Sequence, residues 1–580
     1  MPNRPLRNGA GGARLAGFPL PARSPPMSSP VSAAPGSALR AAFDRLDTLP
    51  ATWPLTGGGV CVVEHSGGTV LHTFGTRGPG DPTPVSPDDL FEIGSISKIF
   101  VGLAILQLEA EGRLDLDAPA ATYLPWLAIG TPEAPVTVRH LLHHAGGLVK
   151  GADDPPDAPA QVWLLRHTHA GAPGRHFHYS NPGYGLLGLI VAALDGRSLA
   201  EATAERLLRP IGMTTAVGAI GPEVRRRLVT GTEPARPERP WTPDDGLAPA
   251  PWLEVDAGDG HIAASLHDMA AFGRFLLDRG AGVVPPALFA RLTEEFAPGG
   301  EDWVEGFGLP VADSRYGLGI NVERVGGHLC FSHGGGMVGY SSFVLADVDA
   351  GIAVVALTNA NGDFAVGQAI ARMVHAAVRE PARPLPVTDL SRAAFHPAYD
   401  PAMCGLFAGH DGHTTVAISI REHDGRLETA GAGGEGVLHR TFGARFATDH
   451  PALHRFHLTF VAESGHWLWG PAVLRPGTAP AIAPRGPNAR WKALAGRYRT
   501  YSPWYPTFRL VDREGDLVLI APGGVEAADG DTPLVEIGEG LFRIGADPDA
   551  PERLRVGPTA NDQVLWVERD GCRYSRTAFD

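Results

Sequence analysis

The sequence predicts an α/β (α+β) domain over residues 37–380, followed by two small all-β modules over residues 387–487 and 488–580. Three observations lead to this prediction. Apolar segments with the spacing of buried helices accompany strand-like segments in the first part of the chain. A stiff proline-rich linker, residues 381–386, then interrupts the pattern. Beyond it, short alternating stretches are separated by Asp-Gly and Glu-Gly pairs, which are typical of β-hairpins.

A serine and a lysine one helical turn apart, Ser95 and Lys98, open the first long apolar segment. Residues three apart lie on the same side of a helix, and Gly94 before them permits a tight turn. A serine in the first turn sits at the positive end of the helix dipole, which favours a developing alkoxide. A desolvated lysine loses affinity for its proton and is then able to accept the proton of the serine. Ser-x-x-Lys alone is common, so a chance match on a charged helix is the alternative.

A tyrosine and an asparagine, Tyr179 and Asn181, precede a second apolar helix. Pro182 suits the start of a helix, and Asn181 before it is a plausible cap, which is the purely structural explanation of the asparagine. In the functional interpretation, the phenol of Tyr179 acts as a general base and later as the acid for the leaving group. The amide of Asn181 then holds a substrate carbonyl.

A third segment is rich in glycine, with His333 followed directly by Gly334, Gly335 and Gly336. Glycines at this density in a strand indicate a bulge or the close approach of another backbone. An exposed N–H group in such a strand is suited to form one half of an oxyanion hole.

Together these segments resemble the serine β-lactamase and penicillin-recognising superfamily, most closely its class C branch, which includes esterases, DD-peptidases and D-aminopeptidases. The family's Ser-x-x-Lys, Tyr-x-Asn and Lys-Thr-Gly or His-x-Gly motifs correspond, in this order, to Ser95, Lys98, Tyr179, Asn181, His333, Gly334 and Gly335. Family scaffold phrases recur at residues 137–148 and 207–214. The resemblance covers roughly residues 40 to 380.

The resemblance implies an antiparallel sheet flanked by helices, beside a mostly helical lobe, with Ser95 at the start of a central helix between them. It also implies acyl transfer through a covalent intermediate. Ser95 would attack an ester, amide or lactam carbonyl while Lys98 and Tyr179 share the proton. The backbone N–H groups of Ser95 and Gly336 would form the oxyanion hole. Neither a metal nor an organic cofactor is needed.

Substrate binding is assigned by the same resemblance to Asn181, His333 and Gly335. Penicillin-recognising enzymes usually carry a lysine where this chain has His333, and a neutral imidazole is a weaker anchor for a carboxylate. We therefore expect a D-aminopeptidase-like hydrolase of small esters, amides or peptides, with a class C-like β-lactamase as the alternative. A catalytically inactive protein that binds through its β modules is the alternative from another class, and the intact Ser95, Lys98 and Tyr179 count against it.

Composition excludes several other functions. A formal net charge of −14 without a basic run argues against a nucleic-acid partner. The four cysteines are scattered and form no Cys-x-x-Cys pair, so no disulfide framework is indicated. The histidines between residues 140 and 178 lack carboxylate or cysteine partners at ligand spacing, so no metal is expected.

The ends of the chain and its apolar runs suggest a location. Residues 1–36 read as a disordered tail without the apolar core of a secretory signal. The longest apolar run, near residues 184–194, is too short to cross a membrane. We expect a cytoplasmic protein with a small-molecule or peptide substrate and no membrane partner, and the oligomeric state stays open.

The two β modules also have a counterpart in the family. Residues 494–498 resemble the "L-x-G-x-Y" start of C-terminal domains in this superfamily, and two β-barrels after the catalytic domain are the architecture of D-aminopeptidases. We expect these modules to shape the entrance to the site. Residues 431–436 spell Gly-x-Gly-x-x-Gly, but no helix pattern follows, so we predict a loop rather than a dinucleotide site.

Overall fold

The computed structural model describes residues 36–131, 133–151, 163, 165, 168, 171–301, 307–362, 365–385, 399–441, 445–478, 489–523 and 530–578. Residues 1–35 of the predicted tail lie outside these ranges. So do residue 386 of the predicted linker and residues 387–398 and 479–487 of the first predicted β module.

An antiparallel sheet forms the centre of the first domain and contains eight strands within the described ranges. In chain order, its strands are β1 Gly57–Glu64, β2 Thr69–Gly78, β3 Asp81–Pro84, β4 Val311–Tyr316, β5 Asn321–Val325, β6 His328–Met337, β7 Tyr340–Asp347 and β8 Ile352–Thr358. Their spatial order is β3-β2-β1-β8-β7-β6-β5-β4, and neighbouring strands run antiparallel. The expected antiparallel sheet is confirmed.

Helices cover this sheet and build the neighbouring lobe. They are α1 Ser37–Leu46, α2 Ser97–Ala110, α3 Val138–Leu142, α4 Asn181–Asp195, α5 Leu199–Thr203, α6 Leu266–Leu277, α7 Pro286–Glu294 and α8 Val366–Arg379. A π-helical turn, Ala204–Leu208, and a short helical turn, Arg209–Ile211, continue α5. Two short strand pairs join Phe91–Glu92 to Ala263–Ala264 and Thr232–Pro234 to Leu247–Pro249.

The central strands are buried on both faces because helices lie on each side of the sheet. Val60 and Val62 of β1 belong to the apolar cluster that contains α1 and α8. Cys61 and Val63, which alternate with them, belong to the cluster that contains α6. Successive side chains of a strand point to opposite faces, so a strand covered on both sides is apolar throughout.

Helix α2 is the buried helix that the apolar segment after Lys98 predicts. Its side chains from Ser97 to Leu106 are all buried, as expected for a helix that is apolar on every side. It packs against α4 in the same cluster as α6. The start of α2 is thereby fixed between the sheet and the helical lobe.

A buried carboxylate, Asp347 at the end of β7, joins the sheet to α8. It accepts hydrogen bonds from His375 at 3.0 Å, from His328 at 3.1 Å and from the Ala350 N–H at 2.9 Å, and it also contacts the Arg379 guanidinium. Burial alone would raise the pKa of Asp347, but its hydrogen bonds and the positive charge of Arg379 lower that pKa to about 2.

Cys330 lies beside this carboxylate. Its sulfur and the ligand atoms of Asp347 and His375 lie within 4.8 Å of one another, the one group with metal-ligand proximity among the described residues. Burial raises the pKa of the Cys330 thiol, and the Asp347 oxygens already accept from protein donors. We therefore assign this group to the packing of α8 on the sheet.

Asp347→Asn should destabilise the protein by about 2 kcal/mol at pH 7, because the folded-state pKa of Asp347 is depressed from 3.8 to about 2. That stabilisation is present above the unfolded pKa and is lost as the pH falls from about 4 to about 2. The difference between the guanidinium denaturation midpoints of wild type and variant should shrink over this interval. The control is Asp313→Asn, since Asp313 pairs with Arg315 on the surface; an equal effect there would contradict the assignment.

The C-terminal part contains two closed barrels, each with eight strands within the described ranges. The first consists of β9 Gly405–His410, β10 Thr415–His423, β11 Arg426–Gly431, β12 Gly434–Arg440, β13 Arg445–Thr448, β14 Leu458–Val461, β15 His466–Trp469 and β16 Ala472–Pro476. The second consists of β17 Gly496–Arg499, β18 Thr507–Arg513, β19 Asp516–Ile520, β20 Thr532–Gly538, β21 Leu541–Ile544, β22 Arg553–Val556, β23 Trp566–Arg569 and β24 Cys572–Arg576. The prediction of two barrel-like all-β modules is confirmed.

The predicted Asp-Gly turn is present in the first barrel and the predicted Glu-Gly turn in the second. Asp424 and Gly425 connect β10 to β11 with φ of +51° and +74°, and Glu514 and Gly515 connect β18 to β19 in the same way. The Gly-x-Gly-x-x-Gly segment is a tight hairpin between β11 and β12, in which Gly431 pairs with Gly434. None of the helices in the described ranges has the length and apolarity needed to cross a membrane.

Candidate active site

Ser95 lies in a one-turn 3-10 helix, Gly94–Ile96, that leads directly into α2. It is half-buried, whereas Ile96 and Lys98 after it are fully buried. Gly94 has a φ of +51°, and a Cβ there would lie 3.1 Å from the backbone nitrogen of Gly336. Glycine therefore permits both the left-handed backbone and the close approach of strand β6 to the serine turn.

Lys98 is buried one helical turn after Ser95, and the structure brings the two side chains together as predicted. Its Nζ lies 2.8 Å from Ser95 Oγ, 2.9 Å from Asn181 Oδ1 and 2.9 Å from the Asp259 carbonyl oxygen. It also lies 5.0 Å from the centre of the Tyr179 ring. One ammonium or amine group thus connects the serine, the tyrosine loop and the loop before α6.

Asn181 is the first residue of α4, and Tyr179 lies two residues before it. Tyr179 is half-buried and its ring stacks on His144, with the ring centres 4.2 Å apart. The helix cap is Ser180, whose hydroxyl accepts the Gly183 N–H at 3.2 Å. Asn181 is therefore not the cap that Pro182 suggested, and its side-chain oxygen is bonded to Lys98 instead.

The glycine-rich strand β6 packs directly on the serine turn. A Cβ on Gly335 would lie 2.0 Å from the Ile93 carbonyl oxygen, so a side chain cannot be accommodated there. Gly335 and Gly336 border the cavity that also exposes Ser95. The prediction of a close backbone approach at these glycines is confirmed, and their role in binding substrate stays a prediction.

His333 has a different environment from the one expected of a substrate anchor. It is 1% exposed, its Nε2 lies 3.1 Å from the Tyr316 hydroxyl, and its Nδ1 lies 2.6 Å from the Gly334 carbonyl oxygen. Burial lowers the pKa of His333 to about 3, so the imidazole is neutral at pH 7. Protein groups occupy both of its nitrogens, and its contact with substrate stays a prediction.

A cavity of about 270 Å³ opens at Ser95. Its lining residues are Ser95, Lys150, Tyr179, Glu301, Gly334, Gly335, Gly336, Ser341, Ser342, Phe343, Gly362, Ala365 and Gln368. Lys150, Glu301 and Gln368 lie outside the motifs that the sequence contains. Lys150 has a weak signal, since it lies two residues after the scaffold phrase at residues 137–148, whereas the other two residues have none.

The cavity contains the carboxyl group of Glu301, which is a weaker acid than an exposed glutamate. Burial raises the pKa of Glu301, and the Asn321 amide, 2.9 Å from its Oε2, together with the charges of Lys98 and Lys150 opposes that shift. The carboxyl group is thus more easily protonated than an exposed glutamate. An approaching cation would favour its ionised form.

The second barrel contacts the loops that carry the site. Glu552, buried and located just before β22, accepts hydrogen bonds from His178 at 2.7 Å and from the Lys150 N–H at 2.9 Å. Burial opposes ionisation, but these bonds outweigh it and place the pKa of Glu552 below its usual range. His178 directly precedes Tyr179, so this barrel reaches the residue next to the predicted base.

The comparisons with known proteins agree with this architecture. The family model described as Beta-lactamase matches residues 47–378. A D-aminopeptidase from Brucella ovis is 29% identical over 357 residues, which cover 58% of this chain and 62% of that protein. A D-aminopeptidase from Brucella anthropi is 28% identical over 331 residues, which cover 54% of this chain and 58% of that protein. The chain thus spans about three fifths of the length of these relatives.

Two solved structures share the fold. The octameric penicillin-binding protein homologue from Pyrococcus abyssi has a TM-score of 0.54 at 20% identity, covering 75% of this chain and 98% of its own. The D-amino acid amidase from Ochrobactrum anthropi SV3 complexed with D-phenylalanine has a TM-score of 0.51 at 23% identity, covering 60% and 100%. Because the family model matches more than half of the residues, the chain belongs to the beta-lactamase family.

Proposed function

We propose that this family member is a serine hydrolase that forms an acyl-enzyme on Ser95 with small esters, amides or peptides. The observation that carries the proposal is the position of Lys98 Nζ between Ser95 Oγ and Asn181 Oδ1, at 2.8 and 2.9 Å. The Asn181 side-chain oxygen and the Asp259 backbone carbonyl oxygen act only as acceptors. A neutral amine that donates its two N–H groups to these oxygens directs its lone pair at the Ser95 hydroxyl. This arrangement supports Lys98 as the acceptor of the serine proton.

The reaction then follows from the neighbouring groups. Ser95 Oγ bonds to the substrate carbonyl carbon as its proton passes to Lys98, with Tyr179 sharing it. The negative charge on the carbonyl oxygen is stabilised by the backbone N–H groups of Ser95 and Gly336. The carbon–leaving-group bond breaks as the leaving group takes the proton from Tyr179, and water repeats the sequence in reverse to release the acid.

The cavity supports a substrate with a free amino group. Glu301 places a carboxyl group in the same cavity as Ser95 and Tyr179, and an ammonium group next to it would form a charge-assisted hydrogen bond. The relatives from Brucella to which this chain is similar are named D-aminopeptidases. We therefore propose D-aminoacyl amides or peptides as substrates, with Glu301 binding their amino group. The buried, neutral His333 gives no support to carboxylate anchoring at that position.

The test compares D-alanine p-nitroanilide with its N-acetyl derivative and with p-nitrophenyl acetate. Glu301→Gln should raise the KM of the free-amine substrate by about tenfold, the loss of one charge-assisted hydrogen bond, and leave the other two substrates unchanged. In wild type, the KM of the free-amine substrate should rise as the pH falls. Because the pKa of Glu301 is raised, its carboxylate is protonated at a higher pH than that of an exposed glutamate. Equal effects on all three substrates would contradict amine binding, and a wide preference for a chromogenic cephalosporin would indicate a β-lactamase.

A further inference from the structure

Three buried side chains form a continuous chain behind the candidate site. His144 Nε2 lies 3.2 Å from the Tyr316 hydroxyl, and that hydroxyl lies 3.1 Å from His333 Nε2. His144 and His333 are each 1% exposed and Tyr316 is fully buried. Buried polar groups require matched donors and acceptors, since a buried group without a hydrogen-bond partner destabilises the fold.

The two ends of the chain fix the direction of every hydrogen bond in it. At one end, the Ser180 N–H donates to His144 Nδ1 at 3.0 Å, so the proton of the neutral ring is on Nε2. At the other end, the Gly334 carbonyl oxygen accepts from His333 Nδ1, so Nε2 of that ring is an acceptor. The Tyr184 hydroxyl, which also neighbours Tyr316, donates to the Leu142 carbonyl at 2.9 Å and supplies no proton to the chain. Because His333 Nε2 needs a donor, Tyr316 accepts from His144 and donates to His333. Each ring is held in a single tautomer.

Burial supports this pattern of protons. It lowers the pKa of His144 well below its usual value and that of His333 to about 3, so both rings stay neutral. It also raises the pKa of Tyr316, so its hydroxyl keeps the proton that it donates. A protonated His144 would direct an Nδ1–H at the Ser180 N–H, and the two donors would oppose each other.

His144 connects this chain to Tyr179. Its ring stacks on the Tyr179 ring at a centre distance of 4.2 Å and an interplanar angle of 27°, and its Nδ1 holds the backbone of the next residue, Ser180. His144 also has a φ of +51°, a left-handed backbone conformation that is unfavourable for a residue other than glycine. The stacking and the two hydrogen bonds stabilise the ring in this conformation.

We propose that His144 is a positioning residue for Tyr179, held in one orientation and one tautomer by the buried chain through Tyr316 to His333. The proposal rests on the proposed role of Tyr179 in proton transfer. It assigns His333 to the far end of the chain, in place of direct contact with substrate. Tyr316, which lies on β4 far from the sequence motifs, then becomes part of the support of the site.

The test changes one side chain of the hydrogen-bonded chain at a time and follows kcat and KM for p-nitrophenyl acetate. Tyr316→Phe deletes the central hydroxyl and should lower kcat about tenfold, part of the 10²–10⁴-fold that a positioned acid or base contributes, with KM nearly unchanged. His144→Phe keeps a ring against Tyr179 but cannot accept from Ser180, and should lower kcat at least as much. Tyr340→Phe is the matched control, because it deletes a buried hydroxyl that donates to the Val229 carbonyl outside the chain.

A double-mutant cycle separates positioning from a general loss of structure. If Tyr316 acts through Tyr179, Tyr316→Phe should cause no further loss of kcat in a Tyr179→Phe background. Independent multiplication of the two losses would overturn the proposal, as would an equal loss in Tyr340→Phe or a Tyr316→Phe rate within twofold of wild type. An unchanged rate in Tyr179→Phe alone would instead contradict the proposed function, so the two failures are distinguishable.

Discussion

Ser95→Ala is expected to abolish labelling by a fluorophosphonate and to lower ester and amide turnover by about three to six orders of magnitude. The proposed acyl-enzyme forms on Ser95 Oγ, and Lys98, 2.8 Å away, has no other hydroxyl to deprotonate in the proposed mechanism. The substitution removes one oxygen from a half-buried side chain at the edge of a cavity. Circular dichroism and the thermal unfolding transition should therefore match those of wild type.

The matched control is Ser97→Ala, two residues further along the same turn. Ser97 is fully buried and its hydroxyl accepts the Ile262 N–H at 3.2 Å, which is a structural role. This variant should keep the label, and peptide mapping of the wild-type adduct should locate the phosphonate on Ser95. Labelling that survives in Ser95→Ala, or a phosphonate found on another residue, would refute the proposed mechanism.

Local patterns predicted most of the contacts around Ser95. The spacing of Ser95 and Lys98 places them one turn apart in any helix, so their contact follows from the sequence alone. The glycines of β6 likewise indicated a close backbone approach, and the Asp-Gly and Glu-Gly pairs predicted tight hairpins. In each case the sequence pattern that indicates the contact spans only a few residues.

Burial and long-range contacts could not be predicted in the same way. His333 occupies a motif position, but its environment depends on Tyr316 from another strand, and the sequence contains no sign that this hydroxyl is 3.1 Å from the ring. The same is true of Glu552, which bonds to His178 across 374 residues of chain. The N-cap of α4 differs from the predicted one for another reason. Ser180 and Asn181 are both good capping residues, but the side chain of Asn181 is hydrogen-bonded to Lys98, and Ser180 caps the helix.

The structure also changes what a lysine at position 333 would do. In the sequence, His333→Lys suggests a gain of a carboxylate anchor. In the fold, the added ammonium group would be buried next to Tyr316. Burial and the nearby charge of Lys98 already lower the pKa of the histidine at this position. Burying a second cation there costs several kcal/mol unless it finds a partner. Loss of stability is therefore the expected outcome of that substitution.

Lys98 gives the second large effect, and its variants distinguish a base from a fixed positive charge. Lys98→Ala should lower kcat and the rate of fluorophosphonate labelling by about 10²–10⁴-fold, the usual contribution of a positioned base. Lys98→Arg keeps a positive charge near Ser95 Oγ and Asn181 Oδ1, but a guanidinium does not give up its proton in proteins. If Lys98 accepts the serine proton, the arginine variant should be about as slow as the alanine variant.

Chemical rescue completes this test. Lys98→Ala leaves space beside Ser95 and next to the Asn181 and Asp259 oxygens that accept from Lys98. A small primary amine can occupy this space, so ethylamine should restore part of the lost rate. The restored rate should follow the concentration of the unprotonated amine, and it should be absent in Ser95→Ala under the same conditions. Folding of each variant is checked by circular dichroism. An arginine variant that retains most of the wild-type rate would show that Lys98 acts through its charge, and Tyr179 would then have to take the serine proton alone.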